Sequence, residues 1–211
     1  MINVNEDSSR LDFIHAPVLV YRNLLDAMAR PGTIRNISRV SEKLALSSQE
    51  SCVGFALALT LLDSEVSFHV SMRNGSSLEE SICRRTYCKA VELSRAQYIF
   101  LDGDIDNDSL LDILPQINCG SLDQPELGAT VLVLANALHA ASAEEANLSL
   151  SGPGIETVNY CKVKGLSPLW FAERKKINAE YPMGIDLILF DKEGNLLAIP
   201  RTTHVKEAGT P

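Results

Sequence analysis

Two short apolar runs close to the end of the chain, joined by turn residues, restrict its architecture more than any other stretch. Residues 181–205 read YPMGIDLILFDKEGNLLAIPRTTHV. Ile185, Leu187 and Leu189 alternate with Asp186 and Ile188, and Asp191-Lys192-Glu193-Gly194-Asn195 supplies the connection. Leu196 to Ile199 is the second run, which Pro200 halts because proline has no amide to give a strand ladder. Such a pair around a glycine-containing connection predicts a β-hairpin. Arg201-Thr202-Thr203-His204 follows at once, presenting a fixed cation, two hydroxyls and an imidazole at one strand end. That cluster is the leading candidate for a ligand site or a docking surface.

Upstream, helical and strand signals alternate. From Pro17, the residues Val18, Tyr21, Leu24, Leu25 and Met28 recur at helical spacing and predict one buried face, ended by Arg30-Pro31-Gly32. Arg22, Asp26 and Arg30 fall on the opposite face, as a salt-bridge ladder or an anion- or partner-binding stripe. Thr33 to Val40 reads as a strand, and Ser47-Ser48-Gln49-Glu50 as a capping box for a nearly all-apolar helix through Leu62. Val66 to Val70 is an alternating strand in which His69 reads as a structural imidazole. Ser76-Ser77-Leu78-Glu79 is a second capping box. Tyr98 to Leu101 and Thr130 to Ala135 are apolar runs, the first suited to a sheet covered on both faces. Leu148 to Ser151 alternates, and a helix beginning at Ser167-Pro168 buries Leu169, Trp170 and Ile177 while exposing Glu173, Arg174, Lys175 and Lys176. The pattern predicts an α/β fold of three layers, α/β/α, with a mixed sheet. Residues 1–12 are expected to be a flexible arm, 13–205 a single domain and 206–211 a flexible tail.

Composition narrows the partners. A formal charge of −8 and a pI near 5.0 disfavour general binding to nucleic acid or to anionic membranes. The longest apolar run, Val53 to Leu62, is too short to span a bilayer, and the polar, acidic N-terminus does not read as a signal peptide. Five cysteines without a Cys-x-x-Cys pair suggest reduced thiols and a cytoplasmic protein.

Familiar catalytic constellations are missing from the sequence. The histidines at 15, 69, 139 and 204 lack metal-ligand spacing, and there is no Gly-x-Ser-x-Gly elbow. The acidic run Asp102 to Asp108 departs from a calcium loop where Asn107 replaces glycine and Ile113 replaces the bidentate glutamate; it reads as a helix cap. Gly152-Pro153-Gly154 reads as a tight turn, because Pro153 removes an amide donor and Thr157 stands where a dinucleotide loop needs its third glycine. Cys83 beside Arg84 and Arg85 is the one thiol with neighbours that could lower its pKa, and it reads as a helix residue next to solvated arginines.

The run Tyr21-Arg22-Asn23-Leu24-Leu25-Asp26-Ala27-Met28-Ala29-Arg30-Pro31-Gly32 resembles the opening signature of the PhnH family, subunits of the bacterial carbon–phosphorus lyase system. Leu61-Leu62-Asp63, Gly128-Ala129-Thr130, Leu150 to Ile155 and the whole of 181–205 fit the same family in the same order. The Thr-Pro often found after Leu62-Asp63 is absent. The resemblance implies a diverged pyridoxal-phosphate-transferase fold that does not use that cofactor, and the closing Gly184 to Leu189 and Ile199 to His204 motifs have no lysine. It further implies a homodimer that assembles with PhnG, PhnI and PhnJ. With PhnG, PhnI and PhnL it would support the step in which an alkylphosphonate displaces adenine from MgATP, giving ribose 1-alkylphosphonate 5-triphosphate. No metal or cofactor is expected in this chain, and its role is expected to be accessory. The alternative is a phosphonate- or nucleotide-binding subunit using Arg201, Thr202, Thr203 and His204, with Asp186, Arg22 and Arg30 as further ligand or interface candidates.

Overall fold

The computed structural model describes residues 4–41 and 49–208. Its centre is a seven-stranded mixed sheet. Five parallel strands come first: β2 (Ser67–Ser71), β3 (Lys89–Ala90), β4 (Tyr98–Asp102), β5 (Thr130–Leu134) and β9 (Asp186–Phe190). The expected hairpin forms next, with β10 (Asn195–Ile199) antiparallel to β9, and β1 (Arg35–Asn36) closes the far edge against β10. The spatial order is β1-β10-β9-β5-β4-β2-β3.

Both faces of the sheet are buried at its middle strands, which explains why β4, β5, β9 and β10 are apolar at successive positions rather than alternating. Phe68, Phe100, Leu132, Ile188 and Leu196 point to one face, where they meet α1 (Val4–Ala29), α3 (Gln49–Leu61) and α4 (Gly75–Thr86). Ile99, Leu101, Val131, Val133, Leu187 and Leu189 point to the other, with α5 (Asn107–Ile113) and α6 (Leu169–Ile177). Phe100 is wholly buried, so Phe100→Ala should cost about 3–5 kcal/mol.

The second face holds a layer that periodicity did not announce. A four-stranded antiparallel sheet, in the order β11-β7-β8-β6, shares it with α5 and α6. Its strands are β6 (Ala137–Ala140), β7 (Leu148–Ser151), β8 (Asn159–Lys164) and β11 (His204–Glu207). The α/β class and the mixed sheet hold, but the third layer is part helix and part sheet.

Three local expectations are corrected. Helix α1 starts at Val4, well before Pro17, which lies inside it, so helical backbone covers part of the stretch expected to be an arm. Its buried face is Ala16, Val20, Leu24 and Ala27, whereas Val18, Tyr21 and Leu25 are exposed and Met28 is half-buried. The small alanines let the helix approach the layer below, and the bulkier row is left outside. Between Thr33 and Val40 the strand is only β1, because Asn36 Oδ1 accepts both the amide and the hydroxyl of Ser38 and turns the chain into α2 (Ser38–Ser41). Helix α4 begins at Gly75 rather than with the Ser76 box, since Gly75 N already donates to Met72 O and turns the chain earlier. The other box begins at Ser47, which lies outside the described residues.

Asp106 caps α5 as expected, accepting from Ser109 N at 2.9 Å and Ser109 Oγ at 2.7 Å. His69 Nδ1 lies 2.9 Å from Val91 O. Gly152-Pro153-Gly154 is a turn closed by Ile155 N to Gly152 O at 3.1 Å. Gly154 has φ +81° and packs its Cα against Ala29 O, where a Cβ would collide. Asn159 Nδ2 donates to Pro31 O at 2.7 Å, so the glycine-rich turn and the Arg30-Pro31-Gly32 corner lie side by side. The five thiols are unbridged; burial pushes Cys88 up to about 11 and Cys161 up to about 12. Among the described residues no helix is long and apolar enough to cross a membrane.

Candidate functional site

The Arg-Thr-Thr-His cluster lies where β10 leaves the large sheet and the chain crosses to β11 of the small one. Because β10 runs antiparallel to β9, this corner is at the amino ends of the parallel strands, beside Asp186. Thr203 N donates to Pro200 O at 2.8 Å, which closes the turn and sends the four side chains in different directions.

Arg201 turns inward. Its Nε and Nη2 donate to Asp186 Oδ2 at 3.1 and 2.8 Å, and its own amide donates to Oδ1 at 2.6 Å. Nη1 donates to Pro125 O at 2.7 Å and Nη2 to Gly128 O at 3.3 Å. One guanidinium therefore ties together the start of β9, the loop before β5 and the end of β10. Thr203 is buried, Thr202 is half-buried and His204 is exposed.

These four residues line one cavity of about 540 Å³, whose opposite wall is α6 and the segment after it. The wall contains a residue that the sequence reading placed in solvent. Arg174 is only 4% exposed; it donates to Thr203 O at 3.1 Å, Ile199 O at 3.3 Å and Pro200 O at 2.5 Å. Burial lowers its pKa to about 10, opposed by the field of Asp186. Among the described residues its Nε has no hydrogen-bond partner, and neither has Thr203 Oγ1. Spacing could have exposed this: Arg174 follows Trp170 and Phe171 by four and three residues, which puts it on the apolar face of α6. Asn178, at the end of that helix, clamps the hairpin from the same side through Ile185 N, Ile185 O and Arg201 O.

The remaining candidates are elsewhere. Arg30 pairs with Asp26 at 3.0 Å, and Arg35, not Arg22, completes that ion pair. Neither Arg22 nor Arg30 lines the cavity. A smaller cavity of about 310 Å³ lies at the carboxyl ends of β2, β4 and β5, where open α/β sheets usually receive ligands. Its charges are largely matched, since Arg73 pairs with Asp102 and Asp104. Among the described residues no three His, Cys, Asp or Glu side chains converge as a metal site would need.

Comparison with known proteins adds the decisive observation. The pattern of the bacterial phosphonate metabolism protein family, PhnH, matches residues 11–206. The chain belongs to the PhnH family. Two curated proteins are similar along most of their length. HtxG of Stutzerimonas stutzeri, whose name places it with C–P lyase subunits, is 29% identical over 189 residues, covering 90% of this chain and 85% of its own. The alpha-D-ribose 1-methylphosphonate 5-triphosphate synthase subunit PhnH of Rhizobium meliloti is 29% identical over 193 residues, covering 89% of this chain and 88% of its own. The match takes in nearly all of both sheets and every residue lining the cavity against α6, so the corner carrying Arg174 and Arg201 falls inside the family's common extent.

Proposed function

We propose that this chain is the PhnH-type subunit of a C–P lyase complex in alkylphosphonate breakdown. There it supports, with PhnG, PhnI and PhnL, the displacement of adenine from MgATP by an alkylphosphonate, and it assembles with PhnJ in the same core. The relatives' names and the extent of the family match support the assignment to the complex. The accessory character of the role rests on one observation. The stretch Ile199-Pro200-Arg201-Thr202-Thr203-His204, one of those that carry the family resemblance, uses its arginine on Asp186 and main-chain carbonyls, so Arg201 maintains the fold and is not offered to a substrate. The same reading takes the chain as one cytoplasmic domain, diverged from pyridoxal-phosphate-dependent transferases and using no pyridoxal phosphate.

Assembly needs a surface, and α1 offers one. Val18, Leu19, Tyr21 and Leu25 form an exposed apolar row, rimmed by Arg22 and Arg30. An outward row of this kind on a well-packed helix fits a homodimer contact or the seat of another subunit. Reconstitution tests the whole reading. Adenine release from ATP and methylphosphonate should vanish when this subunit alone is omitted and return when it is added back. Adenine release by the purified chain alone would refute an accessory role, and a full rate without it would refute membership in that step.

A further inference from the structure

We propose that the cavity between α6 and the Pro200–Val205 segment binds a phosphonate or phosphate ester, with the oxyanion held by Arg174, Thr203 and Lys175. The first ground is an uncompensated buried charge. The Arg174 guanidinium is held by three carbonyl oxygens, which accept its protons without neutralising it. The carboxylate whose field reaches it, Asp186, is engaged by Arg201. Two arginines thus draw on a single carboxylate, and a positive charge is left over.

The second ground is a pair of unfinished hydrogen bonds. Arg174 Nε and Thr203 Oγ1 are both buried, both without a hydrogen-bond partner among the described residues, and both belong to residues lining this cavity. Protein interiors rarely tolerate such atoms unless something absent from the bare chain completes them. A donor nitrogen and a hydroxyl on two residues lining one cavity, one of them part of a cation, are together a complement for an oxyanion.

The third ground is the local field. The chain carries a formal charge of −8, yet Arg174, Lys175, Arg201, His204 and Lys206 all line this one cavity, and no Asp or Glu among the described residues does. Size and lining then specify the class. A volume near 540 Å³ is far more than a bare oxyanion fills and lies within the range of small-molecule sites. Phe171, Tyr181 and Met183 supply apolar wall for an organic substituent. A phosphonate or phosphate ester meets both demands. This assignment does not rest on membership of the complex, because an isolated chain can bind the ester.

Calorimetry on the isolated, folded chain decides the matter, with ATP, methylphosphonate and inorganic phosphate as probes at low ionic strength. ATP should bind saturably and more tightly than inorganic phosphate, and added salt should weaken it. Thr203→Val keeps the shape and deletes a hydroxyl that has no partner among the described residues. It should leave thermal stability unchanged while weakening ATP about tenfold. Lys175→Glu, at an exposed position, should weaken it at least as much without unfolding the chain. No saturation with any of the three probes overturns the proposal, as does binding that neither substitution alters. If the probes do not bind while Thr203→Val strips away co-purifying subunits, the cavity receives a partner's carboxylate and the small-ligand assignment is wrong.

Discussion

Arg201→Ala separates an arginine that maintains the fold from one that meets a substrate. The guanidinium makes two charge-assisted bonds to Asp186 Oδ2 and further bonds to Pro125 O and Gly128 O. Hydrogen bonds to charged groups are worth about 1.5–3 kcal/mol each, and breaking a buried ion pair costs about 3–5 kcal/mol. The side chains of the pair are 17% and 16% exposed, so water screens part of the interaction and the lower part of that range applies. A loss of about 3–4 kcal/mol follows. With a urea dependence of about 2 kcal/mol per molar, the unfolding midpoint should fall by about 1.5–2 M. Arg201→Lys keeps the charge but loses the fork, and should fall by about half as much. Chemical unfolding followed by circular dichroism measures both. A midpoint within about 0.3 M of the parent chain, together with lost adenine release in the reconstituted system, would refute the structural role assigned to Arg201.

Asp191 is 1% exposed and accepts from Leu138 N at 3.0 Å and Asn195 N at 2.8 Å, so Asp191→Ala should cost about 2–3 kcal/mol and lower the thermal midpoint of a calorimetric scan. Asp106 has its pKa lowered by Ser109, which stabilises the fold above the ordinary aspartate pKa; that contribution disappears as pH falls through the folded value. Asp106→Asn keeps an acceptor for the helix end but cannot titrate, so acid unfolding of the variant should show a shallower pH dependence below about pH 4. Leu25→Asp places a charge in the exposed α1 row, and it should leave the unfolding midpoint almost unchanged while abolishing self-association or co-purification in size-exclusion chromatography.

The large sheet was legible because its strands bury both faces. Tyr98 to Leu101, Thr130 to Leu134 and the closing hairpin are dense apolar runs, and such runs read directly as covered strands. Most of the small sheet was not: the alternation of Leu148 to Ser151 marks β7, but β6, β8 and β11 bury at most one face. Leu138 in β6 and Cys161 and Val163 in β8 alternate with His139, Lys162 and Lys164, a pattern too short to distinguish from loop. Helix α1 misled for another reason. Two apolar rows run along it, and residue size favoured Val18, Tyr21 and Leu25, whereas close packing selected Ala16, Val20, Leu24 and Ala27. At the site, Arg201, Thr202, Thr203 and His204 were legible as a strand-end cluster. Arg174 was hidden among the basic residues of α6, because burial of a cation leaves no mark in composition.

The pairing of β1 with β10 has a consequence for synthesis on the ribosome. Strands β2, β4, β5, β9 and β10 become neighbours in the order in which they leave the exit tunnel, so the large sheet can grow in one direction from its β2–β3 side towards β10. The edge it reaches last is the one that Arg35 and Asn36 must close, by pairing with Leu196 and Asn195. The backbone of Arg35 and Asn36 therefore waits for most of the chain to be made before it is paired. Contacts of such long sequence separation form late and slowly. In the interval the free edge of β9 or β10 and the two-sided apolar α3 are open to wrong partners. Nascent chains halted before Asn195 should accordingly be bound by holding chaperones, and release should follow once β10 has emerged.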